Sequence, residues 1–84
     1  MRIKFYSDPY HGWGAVKKSL LRELGIESKI STYSYMKGQT AYLEEDCDLP
    51  RLTAALIARG EAITYEEKHI DRRSPIRSYD SYKV

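Results

Sequence analysis

The chain has little cysteine and no long apolar run. Cys47 is its one thiol, and no stretch is long enough for a signal-peptide core or a membrane span. A single thiol excludes an intrachain disulfide and a thiolate zinc cluster, and it fits a reducing compartment, so a soluble cytoplasmic protein is expected. The acidic neighbours Asp46 and Asp48 raise the thiol's pKa, which makes Cys47 a small apolar filler rather than a nucleophile. A phosphate-cradling loop is also missing: Gly12-Trp13-Gly14 is too short and places a bulky ring where a phosphate would approach. No catalytic signature stands out, and 84 residues leave room for one domain.

What is present is charge in blocks and an excess of tyrosine. Residues 1–42 carry seven Lys/Arg against three Asp/Glu, residues 43–70 three against seven, and residues 71–84 four against two, giving +4, −4 and +2. Such a bipolar chain suits a partner with its own charge pattern better than a uniform polyanion. Tyrosine supplies eight of the ten aromatics, and exposed tyrosines favour recognition because the ring gives contact area while the hydroxyl tolerates water.

Along the chain, Arg2 to Ser7 alternates as a half-buried strand, with Ile3 and Phe5 opposite Lys4 and Tyr6. Asp8-Pro9 breaks it. From Trp13 the apolar residues Val16, Leu20, Leu21 and Leu24 recur at helical spacing, predicting an amphipathic helix with Trp13 as the apolar staple of its start and Gly25-Ile26 as its stop. Ile30 to Met36 and Thr40 to Glu45 read as strands joined by a tight turn at Lys37-Gly38-Gln39. Asp48 is placed as an N-cap, Leu49, Leu52 and Leu56 form the buried stripe of a second helix, and Gly60 ends it. Ala62 to His69 is the fourth strand.

This order, β-α-β-β-α-β, predicts an α+β fold of the ferredoxin-like split βαβ type: a four-stranded antiparallel sheet, in the order four, one, three, two, with two helices on one face. Residues 1–70 form the domain and residues 71–84 a basic, tyrosine-containing C-terminal segment. In such a plait Asp8 to His11 should lie near the Lys37-Gly38 turn, and the acidic run Glu44 to Asp48 near Lys68, His69 and Arg72.

Three constellations carry chemical possibilities. Glu44, Glu45, Asp46 and Asp48 crowd one segment, but alternation sends Glu44 and Glu45 to opposite faces, capping claims Asp48, and nearby arginines can pair the rest; an acidic recognition edge fits better than a metal or catalytic site. Asp8 and His11 follow the first strand, where some nucleases of this fold place a metal ligand, yet the bland reading is an Asp-Pro turn. Tyr6, Tyr33, Tyr35 and Tyr42 should share the sheet face opposite the helices, as aromatics do in RNA-binding plaits, although Glu44 and Glu45 on the same strand would repel phosphates. In the C-terminal segment Ile76, Tyr79 and Tyr82 are apolar anchors at three-residue intervals, expected to pack on that face or on a second subunit while Arg72, Arg73 and Arg77 meet acidic groups.

Gly12-Trp13, Leu24-Gly25-Ile26, Ile30-Ser31 with Tyr33-Ser34-Tyr35, the Tyr42-to-Asp48 run and Ile76-Arg77-Ser78-Tyr79 together resemble small hypothetical proteins of phages, prophages and other mobile elements. The resemblance spans nearly the whole chain and transfers no catalytic residue. It implies a small accessory protein in the host cytoplasm, one that inhibits or modulates a host complex such as a CRISPR-Cas or restriction assembly by occlusion. The expected function is therefore a non-enzymatic module without cofactor or metal, whose partner is a protein or ribonucleoprotein, through Tyr33, Tyr35, Glu44, Glu45, Asp46, Arg72, Arg73, Arg77 and Tyr79. Single-stranded nucleic-acid binding and a metal-dependent nuclease are the alternatives, and homodimerisation is compatible with either surface.

Overall fold

In the computed structural model, which describes all 84 residues, the run from Gly12 to Lys17 is a strand rather than the start of a helix. Its side chains explain why. Gly12, Gly14 and Val16 alternate with Trp13 and Ala15, a period of two that suits a pleated strand flanked on both sides. Glycine is needed there: a Cβ on Gly14 would lie 2.6 Å from Leu49 Cδ1, and one on Gly12 would meet the Phe5 ring.

The elements run β1 (Arg2–Ser7), β2 (Gly12–Lys17), α1 (Lys18–Glu23), β3 (Tyr35–Lys37), β4 (Thr40–Glu44), α2 (Leu49–Ala58), β5 (Thr64–His69) and β6 (Asp80–Ser81), with 3-10 turns at Glu27–Lys29 and Pro75–Ser78. They form one sheet ordered β5-β1-β2-β4-β3-β6, in which only β1 and β5 pair in parallel. The class is α+β, but the sheet is six-stranded and mixed, not the four-stranded antiparallel plait anticipated. The four expected strands keep their order, and β2 is inserted between the first and third of them. Each added strand reverses direction, so the insertion makes the β1–β5 pairing parallel where the plait needs it antiparallel.

The same insertion moves the ends of the sheet. Gly12 carbonyl accepts from Glu45 N at 3.0 Å, so the Asp8–His11 turn lies beside the acidic run, and Lys18 N donates to Gln39 O at 2.8 Å at the opposite end. Both neighbourhoods differ from those of the plait. Strand β3 is also shorter than expected, because Ser31 to Ser34 form a turn bound to Asp48. That carboxylate accepts from Ser31 N at 3.0 Å, Ser31 Oγ at 2.7 Å and Ser34 Oγ, and it does not cap α2. Asp48 occupies the cap position while its side chain holds a neighbouring loop.

Both helices end as their sequences indicate. Ile26 N reaches Leu21 O and Gly25 N reaches Arg22 O, while Glu61 N reaches Leu56 O and Gly60 N reaches Ile57 O. These are Schellman stops, which need the positive φ of Gly25 and Gly60. The helices cover one face of the sheet, where Ile3, Leu21, Leu43, Leu52 and Leu56 are almost fully buried. No helix is long and apolar enough to cross a membrane.

Residues paired in a ladder share a face, so the pairs Tyr6–Trp13, Ala15–Tyr42, Trp13–Glu44 and Tyr35–Tyr42 place Tyr6, Trp13, Tyr35, Tyr42 and Glu44 on the face opposite the helices. The C-terminal segment crosses this face. Ile76 is buried, Tyr79 packs on Tyr42 with ring centroids 5.3 Å apart, and β6 pairs with β3. Tyr82 then enters the main core, its hydroxyl donating to Glu27 O at 2.8 Å.

Candidate functional site

One carboxylate fastens that segment. Asp8 follows β1, and its Oδ1 accepts from Tyr10 N and His11 N, each at 2.9 Å, which shapes the turn into β2. Its Oδ2 accepts from Ser74 N at 2.9 Å and from Arg77 Nε at 2.9 Å. The side chain is fully buried, and Arg77 is 22% exposed. Burial alone would raise the Asp8 pKa, but the backbone donors of Ser74, Tyr10 and His11, with the Arg77 guanidinium, hold it far below the usual carboxylate range. Asp8 is thus a structural anchor, with no lone pair left over for a cation.

Arg77, fixed in this way, lies 5.4 Å from the Tyr10 ring centre and 6.0 Å from that of Trp13. Trp13 in turn meets the Tyr35 ring edge-on at 6.2 Å and the tilted His11 ring at 6.1 Å. Arg77, Trp13, Tyr35 and His11 floor a cleft of about 340 Å³ at the end of the sheet where β2 begins and β4 ends.

Six of the residues anticipated from sequence converge on this cleft: Tyr33, Tyr35, Glu44, Asp46, Arg73 and Arg77. They come from the turn before β3, from β3, from the end of β4 and its following turn, and from the C-terminal segment. Glu45 does not join them. It faces a separate trough with Phe5, Leu49, Tyr65 and Glu67. Arg72 borders a third cavity with Tyr6, Lys68 and Tyr42, and Tyr79 is there too, covered by Lys37 Nζ at 4.9 Å from its ring centre.

Within the cleft some groups are committed and others are free. Glu44 Oε2 accepts from Asp46 N at 3.0 Å and Cys47 N at 2.9 Å, so that carboxylate builds the turn it sits beside. Arg77 is committed to Asp8. The carboxylate of Asp46, the guanidinium of Arg73 and the ring of Tyr33, 70% exposed, have no partner within the chain. The Cys47 thiol has its pKa raised by local desolvation, by its hydrogen bond to Glu44, and by the charges of Glu44, Asp48 and Asp46, which opposes a nucleophilic role. No three His, Cys, Asp or Glu side chains are grouped so as to hold a metal ion.

Trp13 was not among the site residues expected from the sequence, and His11 was weighed there only beside Asp8 as part of a metal site. The signal for Trp13 is the alternation of glycine with larger side chains, which marks a strand; read at helical spacing, it hides the ring in the wrong element. Asp8 had no signal beyond its turn, because its partners Ser74 and Arg77 are distant in sequence. No protein-family model, curated protein or solved structure matches this chain.

Proposed function

We propose that this protein is a non-enzymatic binding module that engages a protein or ribonucleoprotein partner through the cleft, and acts on it by occlusion. The observation that carries this reading is the free trio at the cleft, Asp46, Arg73 and Tyr33, set beside Glu44 and Arg77, which are already engaged. Ionic groups of both signs around an aromatic floor suit a surface that itself presents both signs. Arginine and tyrosine are also the residue types that dominate interface energetics. A host defence complex as the class of partner rests on the resemblance read in the sequence alone.

The test is affinity capture from a host lysate, with and without nuclease, comparing wild type with Arg73→Glu and Asp46→Arg. Both sites are exposed, so the fold should be unaffected. The same protein should be recovered with wild type, survive nuclease, and be lost with either variant. Equal recovery by all three proteins would remove the cleft from the binding surface.

A second reading has one observation in its favour. Tyr6, Tyr42 and Tyr79 meet Lys68 and Arg72 around a cavity of about 370 Å³, a basic and aromatic setting suited to a nucleobase and its phosphate. Residues 74–79 lie across the central strands, however, so continuous stacking along the sheet would require the segment to leave. This reading expects salt-sensitive mobility shifts with labelled single strands, weakened by Tyr79→Ala. The nuclease alternative has less support, since Asp8 is consumed by four hydrogen-bond donors.

A further inference from the structure

The long edge of the sheet is β5, which pairs with β1 alone. Thr64 N donates to Met1 O at 2.9 Å and Ile70 N to Ser7 O at 3.0 Å. The even-numbered residues therefore turn their backbone groups toward β1, and Tyr65, Glu67 and His69 turn theirs outward. Six residues is an ordinary strand length, and no proline, bulge or covering segment blocks this edge; its defence is charge, from Glu66, Glu67 and Lys68, which deters a like-charged strand rather than every strand.

Beside the edge, on the helix-covered face, runs a trough of about 300 Å³. Its floor is Phe5, Leu49 and Tyr65, with the Phe5 and Tyr65 rings edge-on at 6.1 Å and Tyr65 still 44% exposed. Its only charged lining groups are the carboxylates of Glu45 and Glu67. Burial and the charges of Asp46 and Glu44 push the Glu45 carboxyl up, against a smaller opposing effect of His11, so an incoming cation would relieve unfavourable charge.

We propose that the β5 edge and this trough accept an extended basic segment of a protein partner as a seventh strand. Its main chain would pair with Tyr65, Glu67 and His69. On the face it turns to the trough, apolar side chains would rest on Phe5 and Tyr65, and lysine or arginine would meet Glu45 and Glu67. Strand addition of this kind takes its affinity from main-chain bonds and its selectivity from alternate side chains.

A second copy of the chain is the other natural occupant of a strand edge, and the register disfavours it. Two-fold antiparallel pairing aligns residues of matching orientation, so the registers with greatest overlap centre on Glu66 or Glu67. Either one sets a glutamate opposite its own copy, a destabilising arrangement. Glu67, which disfavours the register centred on itself, also lines the trough, where with Glu45 it selects a strand of opposite charge.

The surface is separate from the cleft, and so is its test. The ¹⁵N-labelled full chain is titrated with a capped peptide of about eight residues that alternates threonine with lysine and valine, a length matched to the strand. The control peptide replaces lysine with glutamate. The basic peptide should shift the amides of Tyr65, Glu67 and His69 and slow their hydrogen exchange. Glu67→Lys should weaken binding about tenfold or more. Tyr65→Pro should abolish it while leaving the β1 ladder intact, because the Tyr65 N–H points away from β1. Arg73→Glu should change nothing. The proposal is overturned by no perturbation at about 1 mM peptide, a concentration that reveals even weak association. It is equally overturned by equal binding of the acidic peptide, by shifts confined to the Arg73 cleft, or by concentration-dependent shifts of β5 amides without peptide, which would mark a second copy.

Discussion

Asp8 shows how one side chain can fix a segment distant in sequence. Its oxygens hold Tyr10 and His11 on one side and Ser74 and Arg77 on the other, so the β1–β2 turn and the C-terminal segment share one anion. Asp8→Asn keeps the shape and turns an amide donor toward donors, leaving Arg77 without its counter-charge. The variant is expected to lose about 2 to 4 kcal/mol of stability by urea titration. The pH dependence follows from the direction of the shift. A carboxyl whose folded pKa lies below its unfolded value stabilises fully above that value and loses its contribution as pH falls. The Asp8 contribution should therefore be complete at neutral pH and decline below the ordinary value of 3.8. The stability of wild type should converge on that of Asp8→Asn as the acid range is entered, and Trp13, the sole tryptophan, reports the change by fluorescence because it lies beneath Arg77. At this scale the sequence was partly legible. The Asp8-Pro9 turn could be read from local residues, whereas the roles of Asp8 and Asp48 depend on Ser74, Arg77, Ser31 and Ser34, which tertiary structure brings in.

Among the elements, α2 and both helix stops could be read in the chain, since a stripe of Leu49, Leu52 and Leu56 and a following glycine are local signals. Strand β2 could not. The sequence from Trp13 to Leu24 holds a strand and a short helix end to end, and Trp13 and Val16 fall at helical spacing from Leu20 by chance. The discriminating feature is Gly12 and Gly14, poor residues for a helix interior and necessary where Phe5 and Leu49 cross β2. Gly14→Ala tests this. Its Cβ would lie 2.6 Å from Leu49 Cδ1 and 3.4 Å from Ile3 Cγ2. In a helix the change would be favourable; here it should cost about 1 to 3 kcal/mol in urea unfolding, as overpacking does. The turn at Gly38 was legible for the opposite reason. A two-residue hairpin loop with positive φ at its first position, 60°, calls for glycine whatever the tertiary context.

For the molecule as a whole, the charge blocks read from the sequence are arranged so that Asp46 and Arg73 come to one cleft, and that juxtaposition depends on the C-terminal segment lying across the sheet. Removing residues 71–84 would uncover Trp13 and Tyr42 and leave β3 as an unpaired edge. The shortened chain should bind a hydrophobic dye and self-associate in sedimentation, while the full chain does neither, because exposed apolar faces and open edges promote association. The placement of this segment also bears on how the fold is reached. Strand β1 finds a partner in β5, distant in sequence, the Asp8 anchor waits for Arg77, and the core waits for Tyr82. During synthesis from the N-terminus, therefore, the β1–β2 hairpin can form early, but the two sheet edges and the anchor cannot all be completed until residues 64–81 are free. Folding should be a single late, cooperative event, and a stalled nascent chain should remain protease-sensitive until residues 74–82 have emerged.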